Sequence, residues 1–513
     1  MTVGPGLNQH IAKKRLTMLF SHSLIRGGVH PIGHKQLSNH TEITRMTPPK
    51  RLYINLKQHT GLPAKPLVSA GEKVIAGQLI AKGSGSSANI HAPQSGIVLD
   101  IAKHRSAIPG GGEEQMIHLV CDPEDQKELI KLNSDVSIES LSREAMIDII
   151  DAAGVVGMGG AVFPAASKIR STLNKKIDSL LINGCECEPY LTCDDLVMRE
   201  QSAQVIGGVR YLLKMCAAPK AIIGVEDNKI EALKALTDAA SEDDNIEVKT
   251  LPTHYPMGSA KQFIQALCKV EVPKGKRSTD VGVFVQNVAT CAAIYNAIRY
   301  GNPMTHRVVT LSGGALEQPM NIEAPIGTLI SELVAFCGGL KPISNRMIIG
   351  GPMMGHAITN MHTPIIKGTS GILFLKEHEL AKSSTSPCVS CGRCVEACPM
   401  GLLPNAMAEF VAHDDLQSAQ KQGLSSCLLC GSCAFICPAS LPLTQYFSYA
   451  NAELGRQKKM ENKAQLARRL NQQRTQRLEK ETAKKSAEKE AKKQAREAAK
   501  RAKKNKKETV KES

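Results

Sequence analysis

Eight cysteines near the C-terminal end of this chain fall into two copies of one pattern, C-x2-C-x2-C-x3-C-P. The first copy is Cys388, Cys391, Cys394 and Cys398 with Pro399; the second is Cys427, Cys430, Cys433 and Cys437 with Pro438. Thiolates at i, i+3 and i+6 wrap three irons of one cubane. The fourth cysteine lies too far along to close the same cluster, and in such pairs it ligates the other one. The spacing predicts two [4Fe-4S] centres, one on Cys388, Cys391, Cys394 and Cys437, the other on Cys427, Cys430, Cys433 and Cys398. Centres tied together in this way lie close enough to pass electrons between them.

Zinc ribbons use two separated C-x2-C pairs or bring in histidine, and have no use for a third cysteine three residues on or for the following proline. A disulfide framework fits equally poorly. The remaining cysteines of the 16, such as Cys216, Cys268, Cys291 and Cys337, are scattered singly through apolar segments like reduced core residues, which predicts a reducing, intracellular compartment. Between the quartets, Ala406, Phe410 and Val411 stand at helical spacing, Asp414 and Asp415 follow as exposed residues, and Gly423 is a stop signal. That insert predicts a helical ferredoxin domain, a relay attached to something larger.

A second group of residues suggests where the electrons come from. In Gly157-Met158-Gly159-Gly160-Ala161-Val162-Phe163-Pro164, glycines precede a helix that Pro164 suits as first residue. Such a loop lets backbone N–H groups approach a phosphate, and Lys168, one turn on, can complete the site. Next, Ile177–Ile182 reads as a buried strand ending in Asn183-Gly184-Cys185-Glu186-Cys187-Glu188. If the extended state continues, period two places Glu186 and Glu188 on one side and the cysteines on the other. Carboxylates at the C-terminal end of a strand beside a glycine-rich loop stand where α/β folds hold ligands. Gln286 and Asn287 form a second strand end, whose amides can read a heterocycle edge or a ribityl chain. Cys185, Cys187 and Cys193 lack a histidine partner for a metal.

Around these residues the patterning predicts an α/β multidomain chain. Short Val/Ile/Leu runs and glycine turns over Pro66–Asp100 describe a small β-sandwich that resembles the biotinyl/lipoyl-like barrel-sandwich fold, in a module spanning 27–115. No lysine sits at a hairpin tip as a cofactor attachment point. Helical periodicity from Ser137 opens an α/β domain, 130–303. Strand, hairpin, helix and strand over Arg307–Ile349 describe a β-grasp module, 305–365. The ferredoxin-type domain occupies 375–448, and a basic low-complexity tail 456–513.

The 513 residues, 42% of them apolar, are enough for three or four cores. The formal charge of +16 suggests nucleic acid until it is located: the segment from Arg456 to Ser513 holds 22 Lys/Arg against 8 Asp/Glu. The rest is close to neutral. The tail is rich in strong helix formers, has almost no apolar residue after Leu478, and reads as a solvated, partly helical or disordered extension. It lacks the interleaved aromatics and groove-reading motifs of nucleic-acid binders; anionic lipid is the partner its charge suits. No apolar run is long enough to span a bilayer. Lys13, Lys14 and Arg15 precede only the short apolar stretch Leu16–Phe20, too short for a signal peptide.

The order of these elements resembles the flavin- and NADH-binding subunit of respiratory complex I and, more closely, the RnfC/RsxC family of the Rnf/Rsx ion-translocating electron-transport complexes. The resemblance runs from Gly27 to about Leu443. It rests on the glycine loop, Glu186-Cys187-Glu188-Pro189-Tyr190, Tyr255-Pro256-Met257-Gly258, Val285-Gln286-Asn287-Val288 and the two quartets, of which the complex I subunit has the equivalent of one cluster. It implies FMN phosphate at Gly157, Gly159, Gly160 and Lys168, flavin contacts from Asn183, Gln286 and Asn287, and Phe163 and Glu188 bordering the nicotinamide. Cys185 replaces an aspartate of the complex I subunits, and Ser259-Ala260-Lys261 replaces their acids. The function implied is electron transfer between NAD(H), FMN and two clusters, in a peripheral subunit on the cytoplasmic face of a bacterial inner membrane, coupled through partner subunits to ferredoxin or another low-potential acceptor. A soluble cobalamin reductase shares this architecture, and a cluster scaffold with an inactive flavin site is a further alternative.

Overall fold

The computed structural model describes residues 26–59, 61–108, 112–122, 141–342, 346–380 and 384–509. Lys13–Phe20 and the start of the helical pattern at Ser137 lie outside them.

Ahead of the first module, β1 (Thr44–Arg45) joins a sheet formed much later in the chain. The module itself contains β2 (Arg51–Asn55), β3 (Lys65–Pro66), β4 (Lys73–Val74), β5 (Leu79–Lys82), β6 (Ile90–His91), β7 (Gly96–Arg105) and β8 (Glu113–Cys121). They form two facing sheets, β2-β8-β7-β4 and β3-β5-β6. Leu52, Ile54, Val98, Ile117 and Leu119 alternate inward and meet Ile80 and Ala92, the period-two burial of a sandwich. The strands continue past 115, so the expected boundary there falls inside β8. A bulge between Val98 and Asp100 interrupts the β7–β8 register. Val98 pairs with Leu119, yet Asp100 pairs with His118, so the extra residue carries Asp100 to the outward face.

The second domain alternates helices with parallel strands: α1 (Arg143–Ala152), α2 (Ala165–Arg170), β9 (Ser179–Gly184), α3 (Cys193–Glu200), α4 (Ser202–Cys216), β10 (Ala221–Glu226), α5 (Ile230–Ala239), β11 (Ile246–Leu251), α6 (Ala260–Cys268), β12 (Val283–Asn287) and α7 (Val288–Tyr300). Pro164 precedes α2 as its N-cap, one position earlier than expected. The sheet order is β11-β10-β9-β12, all parallel. After β9 the chain builds outward through β10 and β11, then returns to place β12 on the other side of β9. That reversal opens a crevice at the C-terminal ends of β9 and β12, where Asn287 pairs with Asn183.

Next come β13 (His306–Ser312), β14 (Met320–Pro325), α8 (Ile330–Phe336), β15 (Arg346–Ile349), β16 (His356–Ile358) and β17 (Gly371–Leu375). Their sheet order is β1-β14-β13-β17-β15-β16. β17 is central, so the sheet needs residues beyond 365.

The last domain holds α9 (Arg393–Glu396), α10 (Pro404–Ala412), α11 (Leu416–Lys421), α12 (Ser432–Phe435) and α13 (Leu443–Thr509). The insert between the quartets is two helices rather than one. Asp414 takes a positive φ of 58°, and Asp415 caps α11 by accepting from Ser418 N–H at 3.0 Å. Leu443, Phe447 and Ala450 of α13 are buried in the domain core, and the same helix runs on without a break into the basic segment, where all described side chains from Lys458 onward are exposed. No helix among the described residues is long and apolar enough to cross a membrane.

The segment ahead of the first module is tied to later domains. Gly28 N–H donates to Ala397 O at 2.9 Å, and Val29 and Tyr255 exchange backbone hydrogen bonds of 2.8 and 3.0 Å. A Cβ on Gly27 would stand 2.7 Å from the Cys398 carbonyl carbon, so only glycine fits that approach.

Candidate functional site

The two cysteine quartets line two cavities, and their membership is crossed. Cys388, Cys391 and Cys394 share one with Cys437; Cys427, Cys430 and Cys433 share the other with Cys398. Each quartet makes the same local turn: Gly392 and Gly431, each following a second cysteine, adopt positive φ of 76° and 81° and open the one-turn helices α9 and α12. An all-cysteine donor set of four around each cavity fits a [4Fe-4S] cluster. Burial raises the thiols of Cys427 and Cys433 to about 11 and about 12. Bare thiolates are therefore disfavoured there, and bound iron would supply the charge that stabilises them.

The cavities differ in position. Cys388 and Cys391 are exposed, whereas Cys398 and Cys430 are buried. The second cavity rests against the α/β domain: Tyr255 Oη donates to Cys430 O at 2.5 Å, and Gln262 Nε2 to Pro399 O at 3.1 Å. It is the inner of the two.

At the crevice, the glycine loop closes on itself through Gly157 N–H to Phe163 O at 2.8 Å. Gly159, Gly160 and Ala161 are exposed at its tip, and Phe163 is 39% exposed at its far end. Gly160 has φ +67° with open space around it, while a Cβ on Gly159 would stand 3.3 Å from the Asn287 side chain. The loop thus lies across the end of β12, held by Met158 N–H donating to Thr290 Oγ1 at 2.9 Å. Asn287 caps α7 by accepting from Ala289 and Thr290 N–H, and its Nδ2 donates to Asp194 at 2.7 Å. Asn183 donates to Gly258 O at 2.8 Å. Gln286 is buried with Nε2 unpartnered, and one oxygen of buried Asp194 is likewise unpartnered. Two orphaned polar atoms beside an exposed glycine loop fit a polar ligand of the FMN class.

Three expected placements change. The Lys168 ammonium does not stand free for a phosphate: it donates to Val285 O at 2.6 Å, lies 3.5 Å from Gln286 Oε1 and sits over the Phe284 ring, and burial pushes its pKa down to about 8. Glu186 and Glu188 do not share a side, because the strand stops at Gly184. Asn183 Oδ1 accepts from Cys185 N–H at 3.0 Å, an Asx-type turn that replaces the ladder bond. Glu186 then turns to the start of α3, accepting from Asp194 and Asp195 N–H at 2.8 and 3.3 Å and from the Cys193 thiol at 3.4 Å. Glu188 points elsewhere, accepting from Met353 and Met354 N–H at 3.0 and 2.8 Å. Burial raises its pKa to about 7, and the Tyr255 hydroxyl lies beside it. Cys185, in the position of the lost aspartate, packs inward with Leu251, Met257 and Phe263.

Sequence reasoning missed three charged residues here. Lys35 donates to the carbonyls of Glu186, Glu188 and Leu191 at 2.6, 2.8 and 2.6 Å and fixes the turn after β9. Asp194 lines the crevice. Arg307, buried on β13, reaches Met158 O at 3.4 Å; burial and Glu186 raise the Asp194 pKa to about 6, and Arg307 opposes that rise. Only the two carboxylates at the start of α3 left a trace in the sequence, as acids in a first helical turn.

Family models match along nearly the whole described body: an RnfC barrel-sandwich hybrid domain at 23–124, a Nuo51 FMN-binding domain at 150–296, an SLBB domain at 308–357 and a 4Fe-4S dicluster domain at 387–441. The C component of the ion-translocating oxidoreductase complex of Rhodobacter capsulatus is 42% identical over 438 residues, 84% of this chain and 83% of that one. The chain belongs to the RnfC family, the C components of ion-translocating oxidoreductase complexes. Another relative, the C component of the proton-translocating ferredoxin:NAD(+) oxidoreductase complex of Clostridium ljungdahlii, is 43% identical over 83% of this chain and 93% of its own. The family member of Pseudomonas aeruginosa is 39% identical over 88% of this chain and 58% of its own. Membership brings an FMN-binding domain and a dicluster domain together in one oxidoreductase subunit, and it favours the electron-transport reading over the cobalamin reductase.

Proposed function

We propose that the chain carries electrons between NAD(H) and its partner subunits by way of FMN at the β9/β12 crevice, then the inner and the outer cluster. Its seat is the cytoplasmic face of a bacterial inner membrane, held there by partners and by the basic helix. The observation that carries this reading is the Tyr255 hydroxyl bonded to Cys430 O, which seats the inner cavity directly on the flavin-type domain.

When bound, FMN exchanges electron pairs with nicotinamide and single electrons with iron–sulfur centres. The chain's own residues bind and orient it. Gly159 and Gly160 present open backbone for the phosphate, and Gln286 Nε2 and Asn287 supply amide contacts. Lys168 acts behind them, holding Gln286 and β12 in place. Phe163, half exposed at the end of the loop, borders the nicotinamide. Glu188 anchors the loop after β15 and holds a proton near neutral pH beside Tyr255.

Anaerobically purified protein tests the proposal: it should contain one FMN and eight irons per chain by the two cluster quartets, and NADH should reduce a soluble acceptor through it. Full iron with no flavin would instead support the cluster-scaffold alternative.

A further inference from the structure

The outward face of the β2-β8-β7-β4 sheet carries a cluster that none of this chemistry uses. The bulge after Val98 brings Asp100 opposite His118, and His104, four residues further along β7, points to the same face. The donor atoms of Asp100, His104 and His118 all lie within 4.8 Å of one another. Tyr53 holds both imidazoles. Its ring stacks on His118 with centroids 4.3 Å apart and meets His104 edge-on at 4.9 Å.

These groups converge without satisfying one another. His118 is 5% exposed, and its Nε2, His104 Nε2 and Asp100 Oδ1 are all buried with no hydrogen-bond partner. His118 Nδ1 stands 3.8 Å from Asp100 Oδ1, too long for a hydrogen bond. Orphaned buried polar atoms are costly, and one on each of three residues whose donor atoms converge calls for a common partner.

We infer that Asp100, His104 and His118 form a divalent transition-metal site, with zinc the ion best suited to it. Two imidazoles and one carboxylate match zinc, whose fourth position water would fill, whereas magnesium and calcium select oxygen-only sets. A metal here ties β7 to β8 across the bulge. It also stiffens the seam with the β-grasp module, where Tyr53 N–H donates to Gly327 O at 2.8 Å.

The test uses full-length protein with its flavin and clusters, stripped with a mild chelator, dialysed against zinc sulfate and washed. Zinc and iron are measured together, and zinc-edge X-ray absorption reports the ligands. The expected result is one zinc per chain with a nitrogen/oxygen shell at about 2.0–2.1 Å. Asp100→Asn and His104→Ala, both at less buried positions than His118, should each lower zinc at least tenfold with FMN and iron unchanged. Wild-type protein that retains no zinc, variants that retain it fully, or a sulfur shell at about 2.3 Å placing zinc on the cysteines would overturn the assignment.

Discussion

The two cysteine cavities share a motif, a turn and a one-turn helix, yet one opens to solvent and the other is pressed against the flavin-type domain. Their difference lies in what surrounds them, and it teaches a direction in space. On the proposed route, an electron leaving the crevice would meet the cavity of Cys398, Cys427, Cys430 and Cys433 before that of Cys388, Cys391, Cys394 and Cys437. The outer cavity is the more exposed, with Cys388 and Cys391 open to solvent.

The largest expected effect tests the crossing itself. Cys398→Ser should damage the inner cluster, whose other ligands lie in the second quartet, and Cys437→Ser the outer one. Iron content should fall toward half in each, and the electron paramagnetic resonance spectrum of the reduced protein should lose a different centre. A Cys398 variant that lost only the centre of Cys388, Cys391 and Cys394 would refute the shared ligation.

Next, Asn287→Ala should lower FMN retention severalfold while leaving both clusters intact, which separates crevice from relay. The variant also loses the α7 cap, a cost of about 1 kcal/mol, so its unfolding midpoint should drop modestly. Normal flavin with lost iron would mean that crevice and cavities had been confused.

A smaller effect concerns pH at the seam. Burial raises Glu188 from its ordinary 4.5 to about 7, so the native state holds a proton that the unfolded chain releases. The favourable contribution is full below 4.5 and lost as pH rises through 7, at most about 3 kcal/mol over that window. Glu188→Gln should flatten that part of the stability profile, measured by denaturant titration between pH 4.5 and 8. An unchanged slope would place the titrating group elsewhere.

The smallest effect should come from the far side of the outer cavity. Deleting 456–513 removes exposed helix beyond the buried Leu443, Phe447 and Ala450, so flavin, iron and NADH-linked reduction of a soluble acceptor should be unchanged. Co-sedimentation with anionic vesicles should weaken, with the difference erased by salt. Loss of soluble turnover would show that the helix packs on the catalytic body.

The parts legible in the sequence were those fixed by local reach. Cysteine spacing decides which thiolates can meet round one cubane, and the strand-end amides Asn183, Gln286 and Asn287 follow from where apolar runs stop. Lys168 was misplaced because the path of a long side chain depends on tertiary neighbours, here a carbonyl of the edge strand β12. Glu186 and Glu188 parted because one Asn183 side chain, by bonding the Cys185 N–H, ended the strand two residues before the period-two rule needed it. The tail was set apart from the ferredoxin domain by its charge, although charge does not end a helix. Its first turns are instead held by apolar contacts that composition does not reveal.

The stitch from Gly28 and Val29 to later domains has a consequence in time. Gly28 and Val29 emerge from the ribosome early, but Tyr255 and Ala397, which receive them, are made hundreds of residues later. Domains generally fold as units during synthesis, so Val29 can pair with Tyr255 once the flavin-type domain has folded, while Gly28 still lacks its acceptor, Ala397. Closure waits for the iron-binding domain. A chain made without iron should therefore be cut more readily at Gly27–Val29 than one made with it, as limited proteolysis would read.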